Sequence, residues 1–362
     1  MTTTIPSRRL RVALVGAGYW GPNLARNFAA SSDWDLVAIC DLDPVRAQNV
    51  ARANGSVPVL RSLSDVLDLP GLDAIAIATP ARTHHAIAMA AIAAGLHVLV
   101  EKPLADSSVL GIDMVDAAER AGVVLMADHT YCYTPAVLKM KELIASGSLG
   151  DVLFVDAVRI NLGLIQPDVD VFWDLAPHDL SILDFIIPGG LREGAVAAQG
   201  SDPLGSGRSC VGYLTVPLGE GAIANVHVNW LSPTKIRRMV IGGSQRTLVW
   251  DDVNPQQRLS VFDRGVDLNS SLRTGASRRD AAISYRLGDT WSPALPEREP
   301  LADMVAEFAN SISERRAPRT DGRAALRVLN VLEQVSDRLL DASQVSRTSA
   351  PALRLEEASW LR

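Results

Sequence analysis

The sequence predicts an α/β fold in which a doubly wound parallel sheet is followed by a second domain with an open, mostly antiparallel sheet. In the first third of the chain, continuous apolar runs alternate with helical patterns, as in strands buried on both faces of a parallel sheet. Past about Asp128, strands follow one another through short Gly, Pro or Asp turns, as in antiparallel sheets. A chain of 362 residues is also longer than a domain with a single hydrophobic core usually is, so we expect two domains, residues 1–130 and 131–362.

In the first domain, helices are predicted between the strands. The predicted strands are residues 12–15, 36–40, 57–60, 73–79, 97–100 and 123–127, and the predicted helices are residues 24–29, 45–53, 64–67, 84–94 and 107–121. Gly95 and Gly122 are expected to end the last two helices. Asp43 before Pro44 predicts an N-cap followed by the first helical residue.

In the second domain, helices are predicted at residues 135–146, 174–187, 300–313 and 322–340, and strands at 152–160, 194–199, 210–216, 222–230, 235–241 and 246–250. One face of this sheet should be buried on helices, and the other should be solvated or used for self-association. Residues 268–280 predict a mobile loop, and Trp360 in the tail at 343–362 is expected to dock on the protein.

Composition narrows the class of protein. A formal charge of −6 argues against a nucleic-acid-binding surface. Cys40, Cys132 and Cys210 have no metal-binding spacing and suggest reduced thiols. Residues 1–9 lack an apolar secretory core, and the apolar stretch at 86–100 is too short to span a bilayer. We therefore expect a cytoplasmic protein without nucleic-acid or membrane partners.

Three glycines follow the first strand in the pattern G-x-G-x-x-G. Gly16 permits a tight turn, Gly18 lets a pyrophosphate approach bare backbone, and Gly21 allows a helix to pack closely on the strand. Tyr19 and Trp20 lie in this turn and are predicted cofactor contacts. Free N–H groups at the helix N-terminus can bind the phosphates of a dinucleotide. The alternative is a purely structural turn.

The second strand ends in Asp41. An acidic side chain there can accept hydrogen bonds from the adenosine ribose hydroxyls, and it repels a 2′-phosphate. Asp41 therefore predicts NAD as the cofactor. Arg46 lies about one helical turn further on and could bind a phosphate, which leaves NADP open as an alternative.

A second motif, Glu101-Lys102-Pro103, follows the fifth strand, at the sheet edge where open α/β sheets bind ligands. Lys102 can reach the nicotinamide end of a dinucleotide and exchange protons there. Glu101 can bind a ribose hydroxyl, and Pro103 fixes the backbone and admits a cis peptide bond. The alternative is an exposed ion pair at a strand end.

A third motif contains Asp174 and His178, which share one face of a helix because they are four residues apart. Proline is tolerated in a first turn, so Pro177 predicts that both residues lie at the helix start. A carboxylate beside an imidazole can orient it for proton transfer. One alternative is an N-cap aspartate with a solvated histidine. Another is a metal site with His129 as third ligand, but hydride transfer to NAD needs no metal, and we predict none.

In their order and spacing, these motifs resemble the Gfo/Idh/MocA oxidoreductase family over nearly the whole chain. The resemblance is carried by the glycine turn, Asp41, the run from Thr79 and Pro80 to His84, Glu101-Lys102-Pro103 and the Asp174/His178 pair. The run from Trp173 to Asp179 and the His129-Thr130 pair most resemble the branch that acts on nucleotide-linked sugars, such as UDP-N-acetylhexosamine or hexosaminuronate 3-dehydrogenases.

The resemblance implies an N-terminal Rossmann domain and a C-terminal domain whose open sheet forms a homodimer or homotetramer interface. It also implies NAD(P)-dependent oxidation or reduction of a sugar or cyclitol carbon. Lys102 corresponds to the family's catalytic lysine, and Asp174 and His178 correspond to its carboxylate and imidazole. We expect His178, helped by Lys102, to remove a ring hydroxyl proton, and Asp174 to orient the site.

Further residues are assigned to the cofactor and the sugar. The cofactor site is expected to include Thr79, Pro80, His84, Glu101 and Lys102 beside the glycine turn and Asp41, and the sugar pocket is expected to include Tyr131, Asn161 and Trp173. Three basic residues on one predicted strand, Lys235, Arg237 and Arg238, could neutralise a substrate diphosphate. A solvated or intersubunit run of charges explains them equally well.

Two other functions stay open. One is a dehydrogenase of a free cyclitol or monosaccharide, such as an inositol dehydrogenase. The other is a non-catalytic NAD-binding regulator on the same fold. Intact Lys102, Asp174 and His178 argue against the regulator, since a sensor needs no proton-transfer groups.

Overall fold

A computed structural model describes residues 8–163, 165–166, 169–192, 194–268 and 283–349. The loop predicted at 268–280, apart from its first residue, lies outside these residues, and so does Trp360. Residues 343–349, which the sequence assigned to a weakly specified tail, continue the last helix instead.

The first sheet has six parallel strands in the order β3-β2-β1-β4-β5-β6. Its strands are β1 (Leu10–Val15), β2 (Trp34–Cys40), β3 (Val59–Leu60), β4 (Ala74–Ile77), β5 (His97–Val100) and β6 (Leu125–Ala127). The connecting helices are α1 (Gly21–Ala30), α2 (Pro44–Ala53), α3 (Leu63–Leu67), α4 (His84–Ala93) and α5 (Ser108–Ala121). This confirms the predicted doubly wound sheet.

The central strands are covered on both faces. Val12, Ala13 and Leu14 alternate in direction along β1, yet all three are fully buried. The strand order reverses between β1 and β4, so the chain leaves these neighbours in opposite directions and opens a crevice at their carboxyl ends. The glycine turn, the Glu101-Lys102 segment and Asp128 all follow strands at this edge.

The second sheet has eight described strands in the order β14-β13-β12-β11-β7-β10-β9-β8. They are β7 (Val152–Leu162), β8 (Ala197–Ser201), β9 (Val211–Gly219), β10 (Ala222–Asn229), β11 (Leu231–Gly243), β12 (Thr247–Asp251), β13 (Leu259–Leu268) and β14 (Ile283–Trp291). Only the described pair β7 and β10 is parallel. The mostly antiparallel sheet is confirmed, but β13 and β14 were not predicted.

Helices α6 (Pro135–Ala145), α7 (Val171–Ile186) and α9 (Gly322–Ser349) contribute to the core on one face of the second sheet. The predicted start of α7 was wrong by three residues. Asp170 is the N-cap, and its carboxylate accepts hydrogen bonds from the backbone N–H groups of Phe172 and Trp173. Pro177 consequently lies inside the helix, Asp174 in its first turn and His178 in its second.

Helix α8 (Pro300–Glu314) packs against the first sheet after the chain has completed the second. The Phe308 ring stacks on Trp34 with 5.2 Å between centroids, and the Trp34 indole donates to the carbonyl oxygen of Val305 at 2.9 Å. Ala325 and Leu329 of α9 also join the core of the first sheet. The predicted domain boundary assigns all of residues 131–362 to the second domain. It therefore does not account for the packing of α8 and part of α9 on the first sheet.

Candidate active site

The glycine turn is held by close backbone packing at two of its three glycines. Gly16 has φ +104°, and a Cβ there would lie 2.5 Å from the carbonyl group of Ala78 at the end of β4. A Cβ on Gly21 would lie 2.3 Å from the carbonyl oxygen of Gly16. At Gly18 the nearest atom to such a Cβ is Nη1 of Arg46, at 3.9 Å. Gly18 therefore leaves open space for a pyrophosphate, and the turn fits a dinucleotide.

Asp41 supports this turn. Its Oδ2 accepts a hydrogen bond from the backbone N–H of Ala17 at 2.6 Å, and Oδ1 accepts one from the N–H of Asp43 at 2.7 Å. Each oxygen has a second lone pair that can accept from a ribose hydroxyl. Tyr19 and Leu42, on either side, are both 94% exposed and offer apolar surface to a ligand at this turn.

Trp20 and Asp43 have structural contacts in the same region. The Trp20 indole donates to Oδ2 of Asp128 at 3.0 Å, which ties the glycine turn to the end of β6. Asp43 caps α2 as predicted, accepting from the backbone N–H groups of Val45 and Arg46. Arg46 also forms an exposed ion pair with Asp43, at 3.3 Å.

His84 does not line the cofactor edge, which corrects the prediction. It is 1% exposed, and its ring nitrogens lie 2.8 Å from the carbonyl oxygen of Thr79 and 2.9 Å from that of Pro103. Burial lowers the pKa of His84, and each of the two carbonyl oxygens can accept a hydrogen bond from a ring nitrogen that carries a proton. His84 thus positions the segment that carries Lys102, whose peptide bond to Pro103 is cis. Beside it, Thr79 is partly exposed and Pro80 is exposed.

Lys102 and Asp174 meet between the first sheet and α7. The Lys102 ammonium donates to the backbone carbonyl oxygen of Asp174 at 2.9 Å and to its Oδ1 at 3.2 Å. The indole of Trp230 donates to the other carboxylate oxygen, Oδ2, at 3.0 Å. Both members of the ion pair keep about a fifth of their side-chain surface exposed, at 20% and 23%. A residue after β5 and a residue of α7 therefore form one polar centre, which a ligand can reach.

His178 is half-buried beside this centre. Burial, followed by the positive charges of Lys102 and Arg159, holds its pKa well below the ordinary value. The imidazole is therefore neutral at pH 7 and able to accept a proton. The described contacts of the Asp174 carboxylate are with Lys102 and Trp230, so the prediction that Asp174 orients the imidazole directly is not what the geometry shows.

The Tyr131 ring forms one wall of the site. It meets the His178 ring edge-on with 5.1 Å between centroids, and the Arg159 guanidinium lies 4.5 Å from its centre. Arg159 pairs with Asp179 through two hydrogen bonds, at 2.7 and 3.0 Å, and both side chains are 2% exposed. This buried pair was not predicted. Two features of the sequence indicate such a pair. Asp179 is a charged residue next to His178, and Arg159 is an arginine within an apolar strand.

Arg237 faces the same site, whereas Arg238 does not. Arg237 pairs in register with Arg159 across β11 and β7, and its guanidinium lies 5.9 Å from the Tyr131 ring centre. Because side chains alternate along a strand, Arg238 points to the opposite face of the sheet. Lys235 is exposed near the start of the paired region. The three basic residues are therefore not one cluster.

Of the two remaining sugar-pocket predictions, the geometry favours Asn161 over Trp173. Asn161 lies two residues from Arg159 on β7 and hence on the same face. A Cβ on Gly163 would contact both Asn161 and Trp230, which places the amide near the indole that binds Asp174. The Trp173 indole instead donates to the hydroxyl of Ser336 on α9 at 2.9 Å and packs in the core. Trp173 thus has a structural role.

Among the residues that the structure describes, no three His, Cys, Asp or Glu side chains form a group that could hold a metal ion. No described helix is long and apolar enough to cross a membrane.

Comparison with known proteins shows which proteins this site resembles. Residues 10–129 match the model of the Gfo/Idh/MocA oxidoreductase family, described as an NAD-binding Rossmann fold. Residues 10–129, about a third of the chain, are therefore similar to this family. The matched region contains the glycine turn, Asp41 and Lys102, and its description as an NAD-binding Rossmann fold makes NAD the cofactor.

Relatives extend the similarity beyond the Rossmann domain. A UDP-N-acetylglucosamine 3-dehydrogenase from Acidithiobacillus ferrooxidans is 28% identical over 337 residues, 90% of this chain and 96% of the relative. Its solved structure has a TM-score of 0.76 at 24% identity, covering 92% of this chain and 98% of the other. A levoglucosan dehydrogenase from Pseudarthrobacter phenanthrenivorans is 27% identical, covering 86% of this chain and 80% of the relative.

A third protein shares the fold. GenD2 from gentamicin A biosynthesis, solved in complex with NAD, has a TM-score of 0.77 at 23% identity and covers 94% of this chain and 96% of the other. At this identity the likeness is one of fold. The two-sheet architecture is therefore shared with these solved structures.

Proposed function

We propose that this protein reversibly oxidises a ring hydroxyl of a nucleotide-linked sugar to a ketone, with NAD as the redox partner. The observation that carries the proposal is the polar centre in which Lys102 of the cofactor domain contacts Asp174 of α7, beside a neutral His178. These groups lie at the sheet edge where a dinucleotide is expected to bind.

His178 acts as the general base. A neutral imidazole can take the proton from a substrate hydroxyl, and His178 is kept neutral by burial and by nearby positive charge. The same cations disfavour the protonated ring, so the proton is readily returned in the reverse direction. Bound NAD supplies the hydride acceptor, and its pyrophosphate would be held by the turn at Gly18 and its ribose by Asp41.

Lys102 stabilises the negative charge that develops on the substrate oxygen. Its ammonium is held by Asp174, whose second carboxylate oxygen is fixed by Trp230, so the lysine is positioned before substrate arrives. A preoriented charge in a site that excludes water stabilises a transition state without further reorganisation. Asp174 accordingly acts on Lys102 rather than on the imidazole.

Arg237 supports a substrate that carries a negative charge beyond the sugar ring. Its side chain is 34% exposed, faces the site and contacts Asp252 only at 3.5 Å, near the limit of a hydrogen bond. It can therefore bind a substrate phosphate. The similarity to the UDP-N-acetylglucosamine 3-dehydrogenase over nearly the full length supports the same substrate class.

A free sugar is the second candidate substrate, favoured by the similarity to levoglucosan dehydrogenase over 86% of the chain. The two candidates are separated by matched pairs of substrates: nucleotide sugars and the same sugars without the nucleotide, assayed with NAD and NADP by absorbance of the reduced nicotinamide. Turnover of only the nucleotide-linked member is expected. Equal turnover of both members would exclude the nucleotide as part of the recognised substrate.

Arg237→Gln provides a second test. We expect it to raise KM for the nucleotide-linked sugar and to leave KM for the free sugar unchanged. Arg238→Gln is the matched control, since it removes the same charge from the opposite face of the sheet. Equal effects of both variants would show that the positive charge of Arg237 attracts the substrate only at long range and does not contact its phosphate.

We also infer a homo-oligomer formed through the outer face of the second sheet. Phe154, Tyr213 and Ile223 expose 39%, 55% and 45% of their surface there on neighbouring strands. Sedimentation of the protein and of Tyr213→Glu tests this assignment: the variant should shift to the monomer. The three cysteines are buried and form no disulfide, which fits our inference of a cytoplasmic location.

A further inference from the structure

Two acidic side chains, Glu101 and Asp128, are buried side by side next to Lys102. Glu101 follows β5 and Asp128 follows β6, and the last residues of these parallel strands are paired. The two residues are 9% and 3% exposed, and the backbone N–H of Asp128 donates to the carbonyl oxygen of Val100, the residue before Glu101, at 2.7 Å. Two ionised carboxylates so close together, away from water, repel each other strongly. The pair is therefore expected to hold a proton at neutral pH.

The hydrogen bonds around the pair indicate which carboxyl group is charged. Asp128 accepts from the Trp20 indole at Oδ2 and from the Thr130 hydroxyl at Oδ1. Glu101 accepts at Oε2 from the backbone N–H of Lys102 at 3.2 Å, but its buried Oε1 has no hydrogen-bond partner among the described residues. A buried carboxylate oxygen without a donor is costly, whereas a protonated carboxyl group carries its own donor. The proton therefore belongs on Glu101.

The surrounding charges agree with this assignment. Burial and the adjacent Asp128 raise the pKa of Glu101 well above its ordinary value, and Lys102 opposes them only in part. His129, the residue after Asp128, is neutral because burial lowers its pKa to about 4. From α7, Asp174 contacts the Lys102 ammonium, His178 lies within electrostatic reach of Lys102, and Asp184 lies within electrostatic reach of His129.

We propose that Glu101 is an uncharged positioning residue whose carboxyl O–H donates a hydrogen bond to Asp128, and that this leaves the Lys102 ammonium to Asp174 and the substrate. An ionised Glu101 would compete with Asp174 for that ammonium, because it is the adjacent residue and is shielded from water. The role of Lys102 in turnover rests on the proposed function, but the charge state of Glu101 does not.

Infrared difference spectroscopy tests the charge state directly. The spectrum of the wild type minus that of Glu101→Gln, at neutral pH, should contain the C=O stretching band of a protonated carboxylic acid, and this band should shift in D₂O. Absence of such a band from the spectrum of the wild type at neutral pH overturns the proposal, even if the variant fails to fold. The result does not depend on the identity of the substrate.

A pair of variants tests the consequence for turnover. Glu101→Gln keeps an uncharged donor for Asp128, whereas Glu101→Met has similar size and no donor. We expect kcat of Glu101→Gln to exceed that of Glu101→Met by at least about tenfold, since only the methionine variant leaves the buried Asp128 anion short of a donor. Equal losses in both variants would mean that the negative charge of Glu101 is required, which contradicts the proposal.

Discussion

The ammonium of Lys102 lies 2.9 Å from the backbone carbonyl oxygen of Asp174 and 3.2 Å from its carboxylate, which joins the cofactor-binding sheet to helix α7. Removing the amine should therefore affect turnover more than cofactor binding. We expect Lys102→Met to lower kcat by about 10²–10⁴-fold, the range for loss of a general acid–base group, with little change in NADH affinity. Steady-state kinetics and NADH fluorescence titration measure the two effects. An unchanged kcat would exclude the lysine from the mechanism.

The pH profile reports on His178. Its pKa is lowered, so the neutral base persists below the ordinary titration range of histidine, and activity should be lost only when the pH falls through the lowered pKa. The acid limb of kcat/KM is thus expected well below pH 6.5, the unperturbed value. In His178→Asn, kcat should fall by about 10²-fold or more, and the acid limb should disappear. An acid limb retained in the variant would assign it to another group.

Gly16 and Gly18 should differ when each is replaced by alanine. Gly16→Ala places a Cβ 2.5 Å from the Ala78 carbonyl group at φ +104°, so we expect a loss of stability of several kcal/mol, on the scale of buried steric strain. Gly18→Ala has room in the free protein, since the nearest atom is 3.9 Å away. It should unfold at the wild-type temperature but bind NADH more weakly. Calorimetry and fluorescence titration distinguish these outcomes, and equal destabilisation would contradict the packing argument.

Asp41 should set the choice of cofactor. Asp41→Asn keeps a side-chain oxygen that can accept the Ala17 or Asp43 N–H but removes the charge that repels a 2′-phosphate. We expect the ratio of kcat/KM for NADP to that for NAD to rise about tenfold, which corresponds to about 1.4 kcal/mol. Asp43→Asn is the control, because that carboxylate caps α2 and should leave the ratio nearly unchanged. An unaltered ratio in Asp41→Asn would show that other groups select the cofactor.

The Arg159–Asp179 pair should be important for stability. Both side chains are 2% exposed, so Asp179→Asn leaves a buried charge uncompensated and should lower the free energy of unfolding by about 3–5 kcal/mol. The exposed pair between Arg323 and Glu119 provides the comparison, and Glu119→Gln should lower the free energy of unfolding far less, because water screens this pair. Urea unfolding measures both. Similar small losses would mean that water reaches the Arg159 guanidinium.

The sequence alone was sufficient for the first sheet and its motifs. Continuous apolar strands, a positive-φ glycine and an Asp–Pro helix start depend on local sterics and hydrogen bonding, so they can be identified without distant contacts. Strands β13 and β14 and the start of α7 were missed or misplaced. For α7, we expected Pro177 to lie in the first turn. The helix instead begins after Asp170, because the carboxylate of Asp170 caps the first backbone N–H groups.

Only the tertiary structure decided the partners within the site. It assigned the Asp174 carboxylate to Lys102 and Trp230, removed His84 and Trp173 from the ligand-facing surface, and brought Glu101 against Asp128. Such pairs join residues that are far apart in sequence. Their hydrogen bonds depend on how helix α7 of the second domain packs against the first sheet. Residue order determined which chemical groups are available, and long-range packing determined which of them touch.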